Sequence, residues 1–292
     1  MSPPRNTSEH FSLHSRTPSL VLSDPRGLAV RRIDYYRSQA GTAAEPRINA
    51  QWHDHAGRLT DQWDARQFAH FQAGTRTTPN QHTVFSLTGN VVLEHNVDSA
   101  SRTNLYDAAG RPADNWNANG TVRQYRYDDC ARPVAILQSG SDGSMRTTQR
   151  LSYGPADAAS AARNQCGRIC RHDDDSGTLL FDSYTLRGET SAQQQRFLSD
   201  LAAPDWPAEI VARDVLLEPG DGYLSLSQFD ASGAPLSMTD AKGNRQTPSY
   251  DMTGQENART LDTAAGARHE LASAIEFDAA ARIIRQRLGN GV

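Results

Sequence analysis

The sequence predicts an all-β protein, an extended antiparallel meander of short hairpins that forms a curved strip. Turn signals recur at even spacing, at Asp107–Gly110, Asn117–Gly120 and Asp128–Ala131, with runs of six or seven residues between them. Hydrophobic residues make up 37% of the chain and the mean hydropathy is −0.66, which suits a thin sheet better than a thick core. The spacing also repeats, because Asp128 follows Asp107 by 21 residues and Asp251 follows Asp230 by the same interval.

Each residue of the turn that begins at Tyr106 has a physical role in this prediction. Tyr106 covers the sheet face at the end of a strand, and the Asp107 side chain can bond the backbone two residues further on. Gly110 can adopt a positive φ and so reverse the chain, after which Arg111 starts the next strand. Pro112 is tolerated there, because the first residue of a strand need not donate to the ladder.

The frame aromatic-Asp-x-x-Gly-Arg recurs along the chain, mostly in imperfect form. Copies begin at His53, Tyr106, Tyr127, Phe229, Tyr250 and Phe277, and Asp24–Gly27 and Asp240–Gly243 keep the turn without the aromatic. Ala131 and Ala281 replace the glycine, and Gln255 replaces the arginine, which should weaken those turns. We expect the structural turn residues to be Tyr106, Asp107, Gly110, Arg111, Tyr127, Asp128, Arg132, Asp230, Gly233, Asp240, Gly243, Tyr250, Asp251 and Gly254.

These turns predict the order of segments and strands along the chain. Residues 1–18 are polar and proline-containing, which predicts a flexible N-terminal arm, and residues 19–292 predict a single repeat strip. The predicted strands before the central meander are Ser19–Asp24, Leu28–Tyr36, Arg47–Trp52, Arg58–Trp63, His82–Leu87, Val91–Val97 and Arg102–Tyr106. Met145–Tyr153, a hairpin around Asp173–Gly177, and a second meander over Tyr223–Leu288 follow.

Three segments interrupt the strand rhythm. Ala65–Asn80 shows no clear strand pattern, and insertions are predicted near residues 154–165 and 190–220. In the second insertion, Asp205 could cap a short helix with Pro207 in its first turn, although an extended loop fits equally well. Asn290-Gly291 reads as a hairpin turn with no strand after it, so the strip is expected to be cut in mid-repeat.

Composition and charge exclude several classes of function. The net charge of −4 and the pI of about 6.1 argue against nucleic acid as a partner. No apolar stretch is long enough to span a membrane, so no membrane insertion by this chain is expected. No N-terminal secretory signal is visible either. The three cysteines, Cys130, Cys166 and Cys170, predict plain thiols rather than a disulfide framework or a zinc site.

No catalytic, cofactor-binding or metal-binding residues are predicted. Asp173–Gly177 suggests a calcium loop, but Thr178 and Tyr184 occupy the positions where an EF-hand needs Gly and Glu, so an acidic turn fits better. His53 and His55 lack a third ligand, and His53 occupies the aromatic position of the repeat. We therefore expect no bound cofactor.

The turn frame carries a resemblance to a known family. Tyr106-Asp107-Ala108-Ala109-Gly110-Arg111 resembles the YD-repeat unit of Rhs proteins. Longer strings resemble the N-terminal region of the C component, of the TccC type, of insecticidal toxin complexes. These strings are Asp24-Pro25-Arg26-Gly27-Leu28, Leu198-Ser199-Asp200, Pro204-Asp205-Trp206-Pro207, Leu217-Glu218-Pro219-Gly220 and Thr239-Asp240-Ala241-Lys242-Gly243-Asn244, with Tyr250-Asp251 and Gly254-Gln255. They follow the family's order over nearly the whole chain after residue 18.

The resemblance implies a structural role without catalysis. In this family the repeat strip and a B component build a hollow shell that encloses a C-terminal toxin segment, which an aspartyl autoprotease in the family's core releases. The partners expected for this chain are the B component and the chain's own missing C-terminal core and toxin segment. Asp24–Leu28 superficially matches the core's Asp-Pro-x-Gly-Leu string, but it lies at the wrong end of the chain and predicts a turn. The protein is expected to be made in the bacterial cytoplasm and released as part of a toxin complex.

Two alternatives remain open from the sequence. One is a cell-surface YD-repeat protein that binds carbohydrate or a neighbouring cell through exposed Trp and Tyr. The other is a β-rich glycosidase with two carboxylates, although nearly all acidic residues fall at turn positions. The last strand, Arg282–Leu288, is expected to be an exposed edge protected only by its arginines, which predicts aggregation of the isolated chain.

Overall fold

The computed structural model describes residues 13–140 and 143–291. These residues form 20 β-strands and three short α-helices, and the described strand pairings are antiparallel. The predicted all-β antiparallel meander is confirmed. The N-terminal arm predicted over residues 1–18 lies mostly outside the described residues.

The chain divides into two compact units. Unit 1 lies within Met1–Gln124 and Ser139–Ser144, and unit 2 lies within Tyr125–Gln138 and Met145–Val292.

Unit 1 contains eight complete strands and one helix. Strands β1 to β8 are Leu20–Ser23, Ala29–Tyr36, Glu45–His53, Leu59–Trp63, Gln81–Phe85, Val91–Asn96, Ala100–Tyr106 and Pro112–Asn117. Helix α1, Ala65–Gln72, connects β4 and β5. Strand β9, Val122–Tyr127, begins in unit 1 and ends in unit 2. Each strand from β1 to β8 pairs with the next strand in sequence.

Unit 2 continues the same pattern with two further helices. Strands β10 to β20 are Pro133–Ser139, Met145–Tyr153, Ile169–Asp174, Gly177–Tyr184, Thr190–Phe197, Tyr223–Phe229, Pro235–Thr239, Arg245–Tyr250, Glu256–Asp262, Arg268–Phe277 and Ile283–Leu288. Helices α2 and α3 are Ala158–Ala162 and Ile210–Asp214. From β11 to β20, each strand pairs with the next in sequence.

The hairpins share one irregularity of register. At the end of β7, Leu105 pairs with Asp114, but Tyr106 pairs with Pro112, so one extra residue is accommodated next to the turn. The same shift places Phe229 opposite Pro235, and Tyr250 opposite Glu256. This is a β-bulge of the kind that goes with a glycine of positive φ after a type I turn, and Gly110 has φ +76°. Pro112 and Pro235 are the first residues of their strands, where no ladder donor is needed.

The segment Ala65–Asn80, which showed no strand pattern, contains helix α1. The Asp64 side chain caps the helix by accepting a hydrogen bond from the Gln67 amide at 2.7 Å. Phe68 is buried against Trp63 and Ala50, and this cluster forms the hydrophobic core of unit 1. The helix therefore forms because it covers the apolar face of β3 and β4.

The second predicted insertion is shorter than residues 190–220. Thr190–Phe197 is strand β14, paired on both sides, so the irregular segment begins only at Leu198. The helix in it begins after Glu209 and not near Asp205. Asp205 instead accepts a hydrogen bond from the Thr147 amide at 2.8 Å, and Trp206 is buried to 1% exposure. Of the two alternatives left open for this segment, the helix forms, but Asp205 does not cap it, because its carboxylate binds β11.

No helix among the described residues is long and apolar enough to cross a membrane.

Candidate functional site: the turn row

Most of the repeat turns lie at one end of the strands in each unit, whereas Asp240–Gly243, between β16 and β17, lies at the opposite end. In unit 1, the turns that begin at Asp24, Asp54, Ser86 and Asp107 connect alternate strand pairs, so they share one end of the sheet. In unit 2, the same holds for the turns that begin at Asp128, Thr185, Asp230, Asp251 and Asp278. We call each series a turn row.

The turn that begins at Asp107 shows the geometry of one member. The Asp107 amide donates to the Arg111 carbonyl, and the Gly110 amide donates to the Asp107 carbonyl, both at 2.9 Å. Asp107 Oδ1 accepts the amides of Ala109 and Arg111 at 2.9 Å. Asp107 Oδ2 accepts Arg111 Nε at 2.7 Å and Nη2 at 2.6 Å. One carboxylate thus satisfies two amides and one guanidinium, and it fixes the turn and its first strand residue together.

The same clamp recurs where both the aspartate and the arginine of the repeat are present. It joins Asp54 to Arg58, Asp128 to Arg132, and Asp278 to Arg282. Where the arginine is replaced, other side chains bind the carboxylate. Asn244 Nδ2, at the arginine position, donates to Asp240 Oδ2 at 2.8 Å, and Thr253 Oγ1, within the turn, donates to Asp251 Oδ1 at 2.6 Å. The remaining predicted turn residues hold corresponding positions. The amides of three glycines donate to the carbonyls of the aspartates that begin their turns, in the pairs Gly233–Asp230, Gly243–Asp240 and Gly254–Asp251. Tyr127 and Tyr250 stand directly before their turns.

The arginines also join successive turns of a row. Arg26 Nη1 donates to the Asp54 carbonyl at 2.8 Å, and Arg58 Nη1 donates to the Ser86 carbonyl at 2.9 Å. In unit 2, Arg132 reaches the Gly167 carbonyl at 3.5 Å and Arg187 reaches the Ala231 carbonyl at 3.3 Å. Each of these arginines therefore couples one hairpin to the next hairpin along the row. The sequence alone gave no sign of this coupling, because the acceptor is a main-chain atom.

The tyrosines at the ends of strands bind the preceding hairpin of the row, whereas the arginines bind the following hairpin. The hydroxyls of Tyr106, Tyr153, Tyr184 and Tyr250 donate to the carbonyls of Val91, Pro133, Ile169 and Pro235, at 2.6–3.1 Å. In each case the acceptor is the first residue of a strand in the preceding hairpin of the row. Burial raises the pKa of the hydroxyls of Tyr153, Tyr184 and Tyr250, so these groups stay protonated donors.

Arginine and aromatic side chains also stack at these junctions. The guanidinium of Arg58 lies 5.0 Å from the Phe85 ring centroid, and that of Arg132 lies 4.3 Å from the Tyr153 ring centroid. Arg168 lies 5.2 Å from the Tyr184 ring centroid in the same manner. Tyr153 and Phe85 were not predicted as site residues, although each is the last residue of its strand, as Tyr106 is.

A separate buried cluster holds the segment Leu198–Leu217 on the sheet of unit 2. Asp173 is fully buried and accepts Arg171 Nε at 2.7 Å and Arg213 Nη1 at 2.6 Å. The prediction of an acidic turn over Asp173–Gly177 holds for Asp174, whose carboxylate accepts the Ser176 amide. Asp173 lies outside that turn, within strand β12. It faces α3 instead of solvent.

Neither cluster offers a metal site. Among residues 13–140 and 143–291, no three His, Cys, Asp or Glu side chains are placed to hold a metal ion. Cys130, Cys166 and Cys170 are free thiols. The chemistry available to the turn row is therefore hydrogen bonding and ion pairing that join neighbouring hairpins.

Acid is expected to destabilise the turn rows. Hydrogen bonds from the partner arginine's amide and guanidinium lower the pKa of the carboxyls of Asp54, Asp107, Asp128 and Asp278 below the ordinary value. A depressed folded-state pKa gives stability that is fully present above the unfolded pKa of about 3.9 and is lost as the pH falls through the folded value. We expect a Tm that is level near neutral pH and falls below about pH 4. Thermal melts across this range test it, and a Tm independent of pH would contradict it.

The two alanines at glycine positions are expected to carry backbone strain. Ala131 and Ala281 have φ +66° and +59°. Ala281→Gly and Ala131→Gly should each raise the free energy of unfolding by about 0.5–1 kcal/mol, because glycine adopts this conformation without a Cβ clash. Ala280→Gly, in the same turn but at a residue without positive φ, is the matched control and should be destabilising. Urea denaturation measures all three, and equal effects of Ala280→Gly and Ala281→Gly would refute the strain.

The fold and the turn rows define a class of protein, an antiparallel repeat meander whose repeat side chains join one hairpin to the next. No protein-family model matches the sequence. Over 286 residues the chain is 27% identical to toxin subunit YenC1 of Yersinia entomophaga, covering 96% of this chain and 29% of YenC1. It is 26% identical to toxin subunit YenC2 of the same organism over 302 residues, covering 97% of this chain and 30% of YenC2.

Solved structures agree with these relatives. The crystal structure of TcdB2-TccC3-Cdc42 matches with a TM-score of 0.88 and 29% identity, over 96% of this chain and 13% of that chain. The structure of the Photorhabdus luminescens Tc holotoxin pore matches with a TM-score of 0.87, at the same identity and coverage. The chain is thus homologous to YenC1 and YenC2 and structurally similar to TcdB2-TccC3 components, which confirms the resemblance to a TccC-like Rhs/YD-repeat family. It spans about 30% of the length of these curated relatives.

Proposed function

We propose that the chain is a non-catalytic structural component of a bacterial toxin complex. In this role it forms part of a YD-repeat shell that encloses a toxin payload together with a B component. The main support is the match to TcdB2-TccC3 over 96% of the chain at a TM-score of 0.88. The chain acts within, and is released with, such a complex.

The turn rows support a structural role over a catalytic one. The carboxylates of Asp54, Asp107 and Asp128 each bind backbone amides and an arginine of their own turn. A glycosidase needs one carboxyl held protonated and a second carboxylate placed opposite it across the substrate. The repeat carboxyls instead have a lowered pKa and lie in separate turns, so they serve as turn clamps.

A meander also needs neighbours at its edge strands, which supports a partner protein. Strand β20 exposes Ile283 and Ile284 at 55% and 64%. Arg282 and Arg285 form ion pairs with Asp278 and Glu276 beside them. An exposed strand with apolar side chains is a place for pairing with further polypeptide. We propose that shell assembly covers such edges.

Co-expression with the B component of a toxin complex tests the assignment. The expected result is co-elution of the two chains in size-exclusion chromatography with light scattering, and a hollow particle in electron micrographs. A chain that remains monomeric and stable beside the B component, and that binds ligands on a glycan array, would favour the carbohydrate-binding alternative.

The variant Asp107→Asn separates structure from catalysis. If Asp107 clamps its turn, the neutral side chain should lower the Tm, because it loses the ion pair with Arg111. A glycosidase carboxylate would behave differently, with hydrolysis lost and the Tm unchanged. Asp98→Asn is the matched control, since Asp98 lies in an exposed turn outside the repeat frame.

A further inference from the structure

One junction of the unit 1 turn row lacks the arginine that its neighbours have. Arg58 stands four residues after Asp54, and Asn90 stands four residues after Ser86, so the two occupy the same repeat position. The Asn90 amide donates to Ser86 Oγ at 3.0 Å, much as the Arg58 amide donates to Asp54 Oδ1 at 2.9 Å. The main chain is therefore equivalent, and only the side chain differs.

At the preceding junction the guanidinium makes two contacts. Arg58 donates to the Ser86 carbonyl at 2.9 Å and lies 5.0 Å from the centroid of the Phe85 ring. The equivalent groups beyond Asn90 are the Asp107 carbonyl and the Tyr106 ring. The Asn90 side chain is too short for both, and its Nδ2 lies 3.5 Å from Thr88 Oγ1, within its own turn. The Asp107 carbonyl accepts the Gly110 amide of its own turn. The Ser86 carbonyl likewise accepts the Gly89 amide of its own turn, and it accepts Arg58 in addition.

An open cleft lies where the arginine would reach. Its volume is about 460 Å³, and its walls come from both turns and from the ends of β6 and β7. The walls include Ser86, Thr88, Asn90, Asn104, Tyr106 and Asp107. They include an aromatic ring and a main-chain carbonyl oxygen, the two kinds of group that hold Arg58 and Arg132 at other junctions.

We propose that this cleft binds the guanidinium group of an arginine side chain from another polypeptide segment. The planar guanidinium stacks on the Tyr106 ring while its N–H groups donate to the Asp107 carbonyl and to oxygens of the Ser86–Asn90 turn. A lysine ammonium fits less well, because it lacks a planar face and its strong hydration opposes entry. The inference does not depend on the shell function, since it rests on the comparison of junctions within this chain.

The test is an NMR titration of the full chain with the peptide acetyl-Gly-Arg-Gly-amide, with acetyl-Gly-Lys-Gly-amide as the matched ligand. The arginine peptide should give saturable shifts of the Asp107 and Gly110 amide signals, with a Kd on the order of 10–100 mM for one isolated side chain. The lysine peptide should bind at least several-fold more weakly.

Variants of the chain complete the test. Asn90→Arg should fill the cleft from within, raise the Tm and abolish the shifts, whereas Asn90→Gln, which is longer but neutral, should retain them. Tyr106→Leu removes the ring and should weaken binding even if Asn90→Arg fails to fold. Equal shifts with both peptides, no saturation, or unchanged binding by Asn90→Arg and Tyr106→Leu would each overturn the proposal.

Discussion

Replacing Asp173 with asparagine is expected to lower the free energy of unfolding of the chain by about 3–5 kcal/mol. The carboxylate is fully buried between Arg171 and Arg213, whose side chains are 7% and 6% exposed. It also accepts the Thr178 hydroxyl at 2.5 Å. A neutral amide removes the carboxylate that pairs with the buried Arg213 and leaves the buried Arg171 with Asp214, which is 41% exposed, as its ion-pair partner. Breaking a buried ion pair in this way is costly, because a buried charge is left uncompensated.

Urea denaturation followed by tryptophan fluorescence measures this effect, because Trp206 is buried in the same docked segment. Asp175→Asn is the matched control, two residues away. Its side chain is 56% exposed and pairs with Arg146, so its loss should cost less than about 1 kcal/mol. Similar costs for the two variants would show that the buried cluster does not hold Leu198–Leu217 in place.

Truncating Phe68 to alanine is expected to cost about 3–5 kcal/mol. Phe68 is 3% exposed and joins helix α1 to Trp63 and Ala50, the hydrophobic core of unit 1. The guanidinium of Arg31 lies over the Phe68 ring, 5.5 Å from its centroid. A cavity at this site cannot be filled easily, since its walls are sheet residues held by their ladders.

Phe71→Ala provides the comparison on the same helix. Phe71 contacts Trp63 at a centroid distance of 4.7 Å but is 36% exposed, so its truncation should cost less than half as much. Denaturation of both variants, monitored by fluorescence, measures the loss in free energy of unfolding that each substitution causes. If Phe71→Ala destabilised the chain more than Phe68→Ala, the main apolar contact of α1 would be made by Phe71 and not by Phe68.

The hairpins could be predicted from the sequence because their determinants are local. Asp107 and Gly110 are three residues apart and specify the turn by their own hydrogen bonding and φ. Helix α1 also has a local signal in the sequence, which the absence of a strand pattern did not reveal. Asp64 followed by Gln67 is a capping pattern, and Phe68 and Phe71 follow at helical spacing.

The rest of the site depends on contacts that are distant in sequence. Arg213 meets Asp173 across 40 residues, and Arg58 meets the Ser86 carbonyl across 28. Nothing in the spacing of these residues specifies such pairs, because they form only once the hairpins have stacked. The alternation of Arg171 and Asp173 on one face of β12 was visible, but its partner on α3 was not.

The arginine links between turns also determine where the repeats are free to diverge. Each link ends on a main-chain oxygen, and the four receiving residues, Asp54, Ser86, Gly167 and Ala231, are of four different types. Mutational drift at a receiving position therefore leaves the link intact, whereas drift at the donor removes it, as Asn90 illustrates. The receiving residue of each link therefore tolerates substitution, whereas the donating arginine does not. Copies of the repeat can lose their visible likeness to one another while the hairpins remain joined.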